Sequence, residues 1–295
     1  MNVIETTGLT KTYKGLNAVD ELTLQIKPET ITGVIGRNGA GKTTLLKMLV
    51  GFLKETSGEV KVFSERPFNS LNVSANSIVI DDQMVFPDSL TLEELLKEGE
   101  RFYDGWDMTF ARKLFEYFSF RPHQLLKQLS KGKKTTFNVL FGLASRCALT
   151  IFDEPTTGMD AAVRKDFYRV LLKDYLAHPR TIIISSHYLD EMEHILEDVL
   201  LIDEGQKVMH KPIDDLKEYA VSLTGPAAVM EQWLYDKTVL ARKLSAPGTM
   251  QAVVKNDFPM EHAEKMGIHV APVAPADVCI YLTAKSEGGI DDVLE

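Results

Sequence analysis

The sequence contains little cysteine and no long apolar run. Two cysteines, Cys147 and Cys279, occur among 295 residues, and no C-x-x-C spacing is present. This argues against a disulfide framework and a thiolate metal site, so both thiols are expected to be small buried apolar groups. No apolar segment reaches the roughly 18 residues that a membrane-spanning helix needs. The first residues also lack the basic and apolar regions of a secretory signal, and we therefore expect a cytoplasmic protein.

Positive charge is in deficit. The chain has 33 Lys and Arg residues against 42 Asp and Glu residues, which gives a formal net charge of −9. Such a balance opposes non-specific binding to nucleic acid or to anionic lipid headgroups, so no nucleic-acid partner is expected. The content of 44% apolar and 25% charged residues is that of globular proteins. A length of 295 residues exceeds the roughly 100–200 of a usual single domain. It predicts one large domain and a smaller appendage.

The order of segments predicts an α/β core. Residues 31–35 form a short β-rich segment that precedes a glycine-rich turn and a run of helical composition at 42–50. Two more apolar, partly β-branched segments lie at 148–152 and 181–184, with a helical stretch from 160 to 177 between them. Continuous apolar strands are typical of a parallel sheet covered on both faces. An amphipathic helical insertion at about 88–128 interrupts this pattern.

The pattern changes again near residue 219. Residues 199–209 predict two strands around a Glu-Gly turn, and beyond them strand-like and helical segments alternate. This alternation predicts a small α+β accessory domain at 219–295, after a main domain at 1–218. The accessory domain is interpreted either as a regulatory or dimer-stabilising module or as a passive packing extension.

A phosphate-binding motif follows the strand at 31–35. Gly36, Gly41, Lys42 and Thr43 match the spacing G-x-x-x-x-G-K-[ST]. Glycines let successive backbone N–H groups converge on phosphate oxygens, and the following helix directs its positive end at the same anion. A lysine here reaches the β- and γ-phosphates, while the threonine hydroxyl ligates Mg²⁺. The predicted nucleotide-binding residues of this loop are Gly36, Asn38, Gly39, Ala40, Gly41, Lys42, Thr43 and Thr44.

Two adjacent carboxylates follow the apolar strand at 148–152. A nucleotide-bound magnesium also needs a carboxylate, and Asp153 is placed to provide it at the strand end. Glu154 would then face the γ-phosphate and polarise the attacking water as general base. The sequence thus predicts a nucleoside triphosphate with Mg²⁺ as the ligand and attack of water on the γ-phosphate as the reaction.

Together these residues resemble the ABC ATPase family over about residues 1–209. The strongest resemblance is Leu-Ser-Lys-Gly-Lys at 129–133, which is similar to the family's signature sequence. Ser130 and Gly132 match it, whereas Lys131 replaces a glycine and Lys133 replaces the usual glutamine. The resemblance implies that this segment opens a helix whose N-terminus meets ATP held by the opposite subunit. Ser130 is also interpreted as an ordinary helix N-cap, and both roles are compatible.

Further positions resemble family residues in the same order. Asp160 is similar to the aspartate that communicates across the dimer, and His187 is similar to the switch histidine that contacts the γ-phosphate. Tyr13 resembles the aromatic residue that stacks on adenine, with a core tyrosine as the alternative. Gln83 resembles the glutamine of the family's Q-loop, which implies a catalytic role and a role as metal ligand. Asp81 or Asp82 is the alternative for that position.

The resemblance implies a subunit that hydrolyses ATP to power a separate transmembrane permease. Two copies, or this chain and a paralogue, would sandwich two ATP molecules. The insertion resembles those of bacterial exporters of peptides or drugs, so the expected location is the inner face of the cell membrane, through the permease. A soluble ABC ATPase acting on ribosomes or DNA is the alternative. A P-loop kinase or GTPase is disfavoured by the signature sequence.

Overall fold

The computed structural model describes residues 2–284, apart from the side chains of residues 245 and 246. The chain divides into two compact units. The larger runs to His187 and resumes over residues 194–210, and the smaller contains residues 188–193 and the chain from Lys211. The structural boundary therefore falls before the expected one at 218/219.

A six-stranded sheet forms the centre of the larger unit. Its strands lie in the order β5-β6-β7-β3-β8-β9, and the neighbours from β5 to β8 pair in parallel. Every residue of β3, β6 and β7 is buried, because their continuous apolar runs are covered on both faces. The strands are β3 (Ile31–Ile35), β5 (Ser77–Ile80), β6 (Leu149–Asp153), β7 (Thr181–Ser186), β8 (Asp198–Asp203) and β9 (Gln206–Pro212).

A second, antiparallel sheet has the order β2-β1-β4, with β1 at Ile4–Tyr13, β2 at Leu16–Ile26 and β4 at Ser57–Val62. Its apolar residues share one core cluster with α1 and the central sheet. The main helices of this unit are α1 (Lys42–Leu49), α5 (Lys131–Ser145) and α6 (Ala161–Ala177), and a short α2 spans Leu71–Asn76. The expected α/β core is thus confirmed.

The helical insertion contains α3 (Leu92–Phe102) and α4 (Met108–Tyr117), which contact α5. Thr91 and Glu94 form a capping box at the start of α3, and the Asp107 side chain caps α4. Trp106 packs on Phe141 of α5, with ring centroids 4.8 Å apart. These contacts fix the insertion against the helix that begins with the signature sequence.

The smaller unit is built around a four-stranded antiparallel sheet of order β11-β12-β10-β13. Its elements follow one another as β-α-β-β-α-β, which is the split βαβ arrangement. They are β10 (Ala220–Pro226), α8 (Ala227–Trp233), β11 (Val239–Ala246), β12 (Thr249–Lys255), α9 (Met260–Lys265) and β13 (His269–Pro272). A short α7 (Ile213–Lys217) contacts α10 (Pro275–Leu282), which explains why the unit begins before residue 219.

No helix within residues 2–284 combines the length and apolarity that crossing a membrane requires. The α+β character expected for the C-terminal region is present in the described residues, whose apolar core includes Leu223, Met230, Val254 and Ile268.

Candidate nucleotide site

The loop at 36–44 joins β3 to α1 in a tight curve. Gly39 and Gly41 have φ of 86° and 99°, a left-handed conformation that glycine adopts without strain. At Gly41 an added Cβ would lie 2.1 Å from the carbonyl oxygen of Ala18. The loop encloses a cavity of about 230 Å³. The cavity is lined by Ala18, Arg37, Asn38, Gly39, Ala40, Gly41, Lys42, Thr43, Thr44 and Glu154.

Lys42 is held inside this loop. Its side chain is 6% exposed, and Nζ donates to the carbonyl oxygens of Gly36 at 2.7 Å and Arg37 at 3.3 Å. The same ammonium lies 3.3 Å from Oε1 of Glu154. That oxygen is buried and accepts no hydrogen bond within the described chain. A buried cation and a carboxylate therefore form an ion pair in the wall of the cavity.

Thr43 and Asp153 meet at the carboxyl ends of β3 and β6. Thr43 Oγ1 donates to Oδ2 of Asp153 at 2.6 Å, and Ser185 Oγ donates to the other carboxylate oxygen. Asp153 is 7% exposed. Its oxygens are thus fixed beside the hydroxyl that the motif assigns to Mg²⁺.

Glu154 has a left-handed backbone, with φ of 50°, which is uncommon for a residue other than glycine. Its N–H donates to Ser185 Oγ at 3.0 Å, and its Oε2 lies 2.9 Å from Nδ1 of His187. Backbone strain of this kind clusters at functional sites. The structure thereby brings together the predicted base, the predicted switch histidine and the phosphate loop.

The signature residues and Asp160 lie outside the cavity lining. The Ser130 side chain caps α5 by accepting from the N–H of Lys133, and the Asp160 side chain caps α6. A Cβ on Gly132 would lie 2.3 Å from the Gly158 carbonyl oxygen, so the start of α5 packs directly on the loop before α6. The N-cap interpretation of Ser130 is confirmed.

Tyr13 lies at the end of β1 and is 44% exposed, with Lys11 Nζ 5.3 Å from the ring centroid. The alternative of a core tyrosine is therefore wrong. Tyr13 does not line the phosphate cavity.

Gln83 is exposed, and its side-chain oxygen accepts from Lys47 Nζ at 2.8 Å. Gln83 and Asp81 both line a separate groove rather than the phosphate cavity. Asp81, two residues earlier, is more buried, and burial raises the pKa of its carboxyl group. Lys47 Nζ lies 3.7 Å from Asp81 Oδ2. Asp82 is exposed, as Gln83 is, so burial distinguishes Asp81 from the other two candidates.

Ser185 and Lys47 were not singled out from the sequence. Ser185 is the penultimate residue of an apolar strand, and the rule that the carboxyl ends of strands carry polar site residues would have found it. Lys47 carries no such signal, since a lysine within a helix is usually a solvated surface residue.

The chain is similar to known proteins. The family model described as ABC transporter matches residues 19–157. A bacitracin transport ATP-binding protein (BcrA) of Bacillus licheniformis is 32% identical over 244 residues, which cover 79% of this chain and 80% of that protein. The ABC transporter ATP-binding protein YtrB of Bacillus subtilis is 28% identical over 221 residues, or 75% of this chain and 76% of that one.

A solved dimeric ATP-binding cassette, in a post-hydrolysis state with ADP and Pi, shares the fold. Its TM-score is 0.63 at 19% identity, over 71% of this chain and 98% of that one. The resemblance drawn from the motifs is confirmed, since the match to the bacitracin protein extends well past them. This chain belongs to the ABC transporter family, as an ATP-binding and ATP-hydrolysing subunit.

Proposed function

We propose that the phosphate cavity binds ATP together with Mg²⁺, which Thr43 and Asp153 would hold. The donor set fits this ion, because Mg²⁺ takes oxygen ligands and is usually bound by one or two carboxylates with substrate phosphates. Within residues 2–284 no group of three His, Cys, Asp or Glu side chains forms a separate metal cage. When bound, the ion neutralises charge that develops on the β- and γ-phosphates.

Lys42 is proposed to bind the phosphates, and Glu154 is proposed to act as the general base. Phosphate oxygens attract the Lys42 ammonium away from Glu154, whose carboxylate then accepts a proton from the attacking water. His187, 2.9 Å from the Glu154 carboxylate, orients it and senses the γ-phosphate. The observation that carries this proposal is the meeting of the two motifs: Lys42 with Glu154 at 3.3 Å and Thr43 with Asp153 at 2.6 Å.

The complete site is proposed to need a second subunit. Ser130 and Gly132 lie at the N-terminus of a 15-residue helix, where backbone N–H groups favour an anion. They do not line the cavity of their own chain. The second subunit is a copy of this chain or a paralogue, and Asp160 at the start of α6 would communicate between the two. Tyr13 would stack on adenine from its exposed position.

This ATP-hydrolysing subunit is proposed to drive a transmembrane permease from the inner face of the membrane, for export of peptides or drugs. The name of the bacitracin transport relative supports this class of substrate. A groove of about 500 Å³, lined by exposed Phe52 and Val85 and by Tyr103, offers apolar surface to the permease. It lies beside the insertion at 88–128, whose α3 and α4 would pass on the nucleotide state. The two relatives described above are named as transport proteins, which favours this role over one on ribosomes or DNA.

The smaller unit is proposed to regulate the motor or stabilise its dimer. Its β-α-β-β-α-β arrangement has its own apolar core, as an independent module would. Deleting the chain from residue 220 tests this role, because a passive extension would leave dimerisation and basal ATPase activity unchanged.

Replacing Glu154 with glutamine tests the proposed reaction. The amide keeps the shape of the side chain and removes the base, so the hydrolysis rate should fall by about 10²–10⁴ while ATP affinity is retained. ATPase assays and calorimetric ATP titration measure the two quantities. Glu59→Gln, which changes an exposed residue of β4, is the matched control and should leave both the hydrolysis rate and the ATP affinity unchanged. Hydrolysis at the wild-type rate by Glu154→Gln would disprove the base assignment.

A further inference from the structure

Two aspartates leave neighbouring strands at the same edge of the central sheet. Strands β5 and β6 pair in parallel with Ile80 opposite Phe152, and the next residues are Asp81 and Asp153. Parallel neighbours lie about 4.8 Å apart. Asp81 therefore emerges beside the carboxylate that hydrogen-bonds to Thr43.

The Asp81 side chain contacts Lys47 of α1, the helix that also carries Thr43. It is 14% exposed, and Lys47 Nζ lies 3.7 Å from Oδ2. Lys47 follows Thr43 by about one turn of α1. A partly buried carboxylate at this position needs a cation, and Lys47 provides it.

Gln83 has a different environment. Its side chain is exposed, and its amide oxygen accepts from Lys47 at 2.8 Å. Its backbone N–H donates to Asp81 Oδ1 at 3.0 Å. Gln83 therefore supports the Asp81–Lys47 pair from the surface, whereas Asp81 directly follows the pair Ile80–Phe152 and so lies beside Asp153.

We propose that Asp81, rather than Gln83, is the residue after β5 that supplies an oxygen to the Mg²⁺ bound with ATP. This inference rests on the proposed function of the site. Mg²⁺ prefers carboxylate oxygens, so aspartate replaces the neutral amide of the family with a charged ligand. Lys47 balances that charge when Asp81 is not engaged with the metal.

The charge of Asp81 has a consequence that separates it from a neutral ligand. Asp81, Asp153 and Glu154 place three carboxylates at one edge of the sheet. Without a divalent ion they repel a triphosphate, and with it they attract the metal that the triphosphate carries. Removing the Asp81 charge should thus shift nucleotide affinity in opposite directions under the two conditions.

The experiment is calorimetric titration of the full chain with a non-hydrolysable ATP analogue, once with Mg²⁺ and once with EDTA. Asp81→Asn should weaken binding at least about tenfold with Mg²⁺, the scale of losing one group around a metal. In EDTA the same variant should bind as tightly as the wild type or more tightly. Asp81→Glu, which keeps the carboxylate, should retain a stronger response to Mg²⁺ than Asp81→Asn.

Gln83→Ala is the matched control, since it removes the family's amide and leaves Asp81 in place. It should change the affinity by no more than about twofold in either condition, as surface substitutions do. Equal weakening by Asp81→Asn with Mg²⁺ and with EDTA would overturn the proposal, and so would a Mg²⁺-specific loss in Gln83→Ala. A wild-type chain that binds no Mg²⁺-nucleotide would instead refute the proposed function, so the two failures are distinguishable.

Discussion

The ammonium of Lys42 and the carboxylate of Glu154 lie 3.3 Å apart, although more than a hundred residues separate them in the chain. This ion pair joins the phosphate loop to the end of β6. A triphosphate competes with Glu154 for the lysine, because it offers more negative charge at the same place. Nucleotide entry should therefore free the carboxylate for proton transfer, which links substrate binding to the readiness of the base.

Lys42→Ala should abolish ATP hydrolysis and weaken nucleotide binding. The phosphates lose the mobile cation of the loop, and Glu154 is left without its partner. Losing one such electrostatic contact typically costs about 10²–10³ in rate. ATPase assays and calorimetry measure both effects. Lys61→Ala, an exposed lysine of β4, serves as the control, and wild-type turnover by Lys42→Ala would refute the site.

Ser130→Arg should prevent formation of the ATP-bound dimer. In a Glu154→Gln chain ATP persists, so size-exclusion chromatography should show a dimer in ATP and a monomer without it. Adding Ser130→Arg should restore the monomer, because the bulky side chain would obstruct the contact with nucleotide on the opposite subunit. A double variant that still dimerises with ATP would remove Ser130 from the interface. A Glu154→Gln chain that stays monomeric would point to a paralogous partner.

Asp174→Ala should destabilise the larger unit strongly. Its carboxylate is 2% exposed and pairs with Arg180 at 2.8 Å and Arg146 at 3.1 Å. Its removal leaves the buried Arg180 guanidinium without this carboxylate, while Arg146 keeps Asp107 at 3.0 Å. Breaking a buried pair in this way costs about 3–5 kcal/mol. Asp166→Ala breaks the pair with Arg169, which is 80% exposed, and an exposed hydrogen bond from Tyr117 at 2.7 Å, and should cost no more than about 2 kcal/mol.

Tryptophan fluorescence can measure that difference within one unit. The chain has two tryptophans, Trp106 in the larger unit and Trp233 in the smaller. In a Trp233→Phe background, urea unfolding followed at Trp106 reports the larger unit alone. Equal losses for Asp174→Ala and Asp166→Ala would contradict the buried network.

The two thiols should resist alkylation in the folded protein. Burial raises the pKa of Cys147 to about 11 and that of Cys279 to about 12, from a usual 9.0. Folding thus favours the protonated thiols, and the stability they contribute is complete below pH 9 and is lost as pH rises through the folded values. At pH 8 mass spectrometry should find no iodoacetamide adduct on the native chain and two after denaturation. Rapid native labelling would show that a thiol is exposed.

The motifs predicted most of the nucleotide site, because their chemistry fixes both residue type and spacing. The phosphate loop, Asp153, Glu154 and His187 converge in space as expected. Their position at the ends of buried apolar strands is also readable from the sequence, since such strands form parallel sheets.

The remainder depends on contacts between distant segments. Strand β11 was missed, because its sequence Val-Leu-Ala-Arg-Lys-Leu-Ser-Ala lacks clean alternation and it lies at a sheet edge. Helix α10 was also missed, since it is short and rich in β-branched and aromatic residues. The choice between Asp81 and Gln83 needed the position of Lys47, which no local pattern reveals.

Ser185 connects several residues of the site through hydrogen bonds. Its hydroxyl donates to the Asp153 carboxylate and accepts from the Glu154 N–H, and two residues later the same chain presents His187. Any displacement of the end of β7 is therefore expected to move three groups together: the carboxylate proposed for the metal, the backbone of the proposed base and the histidine. We therefore expect few states in which only some of these groups are in place for catalysis, because the same hydroxyl positions them together.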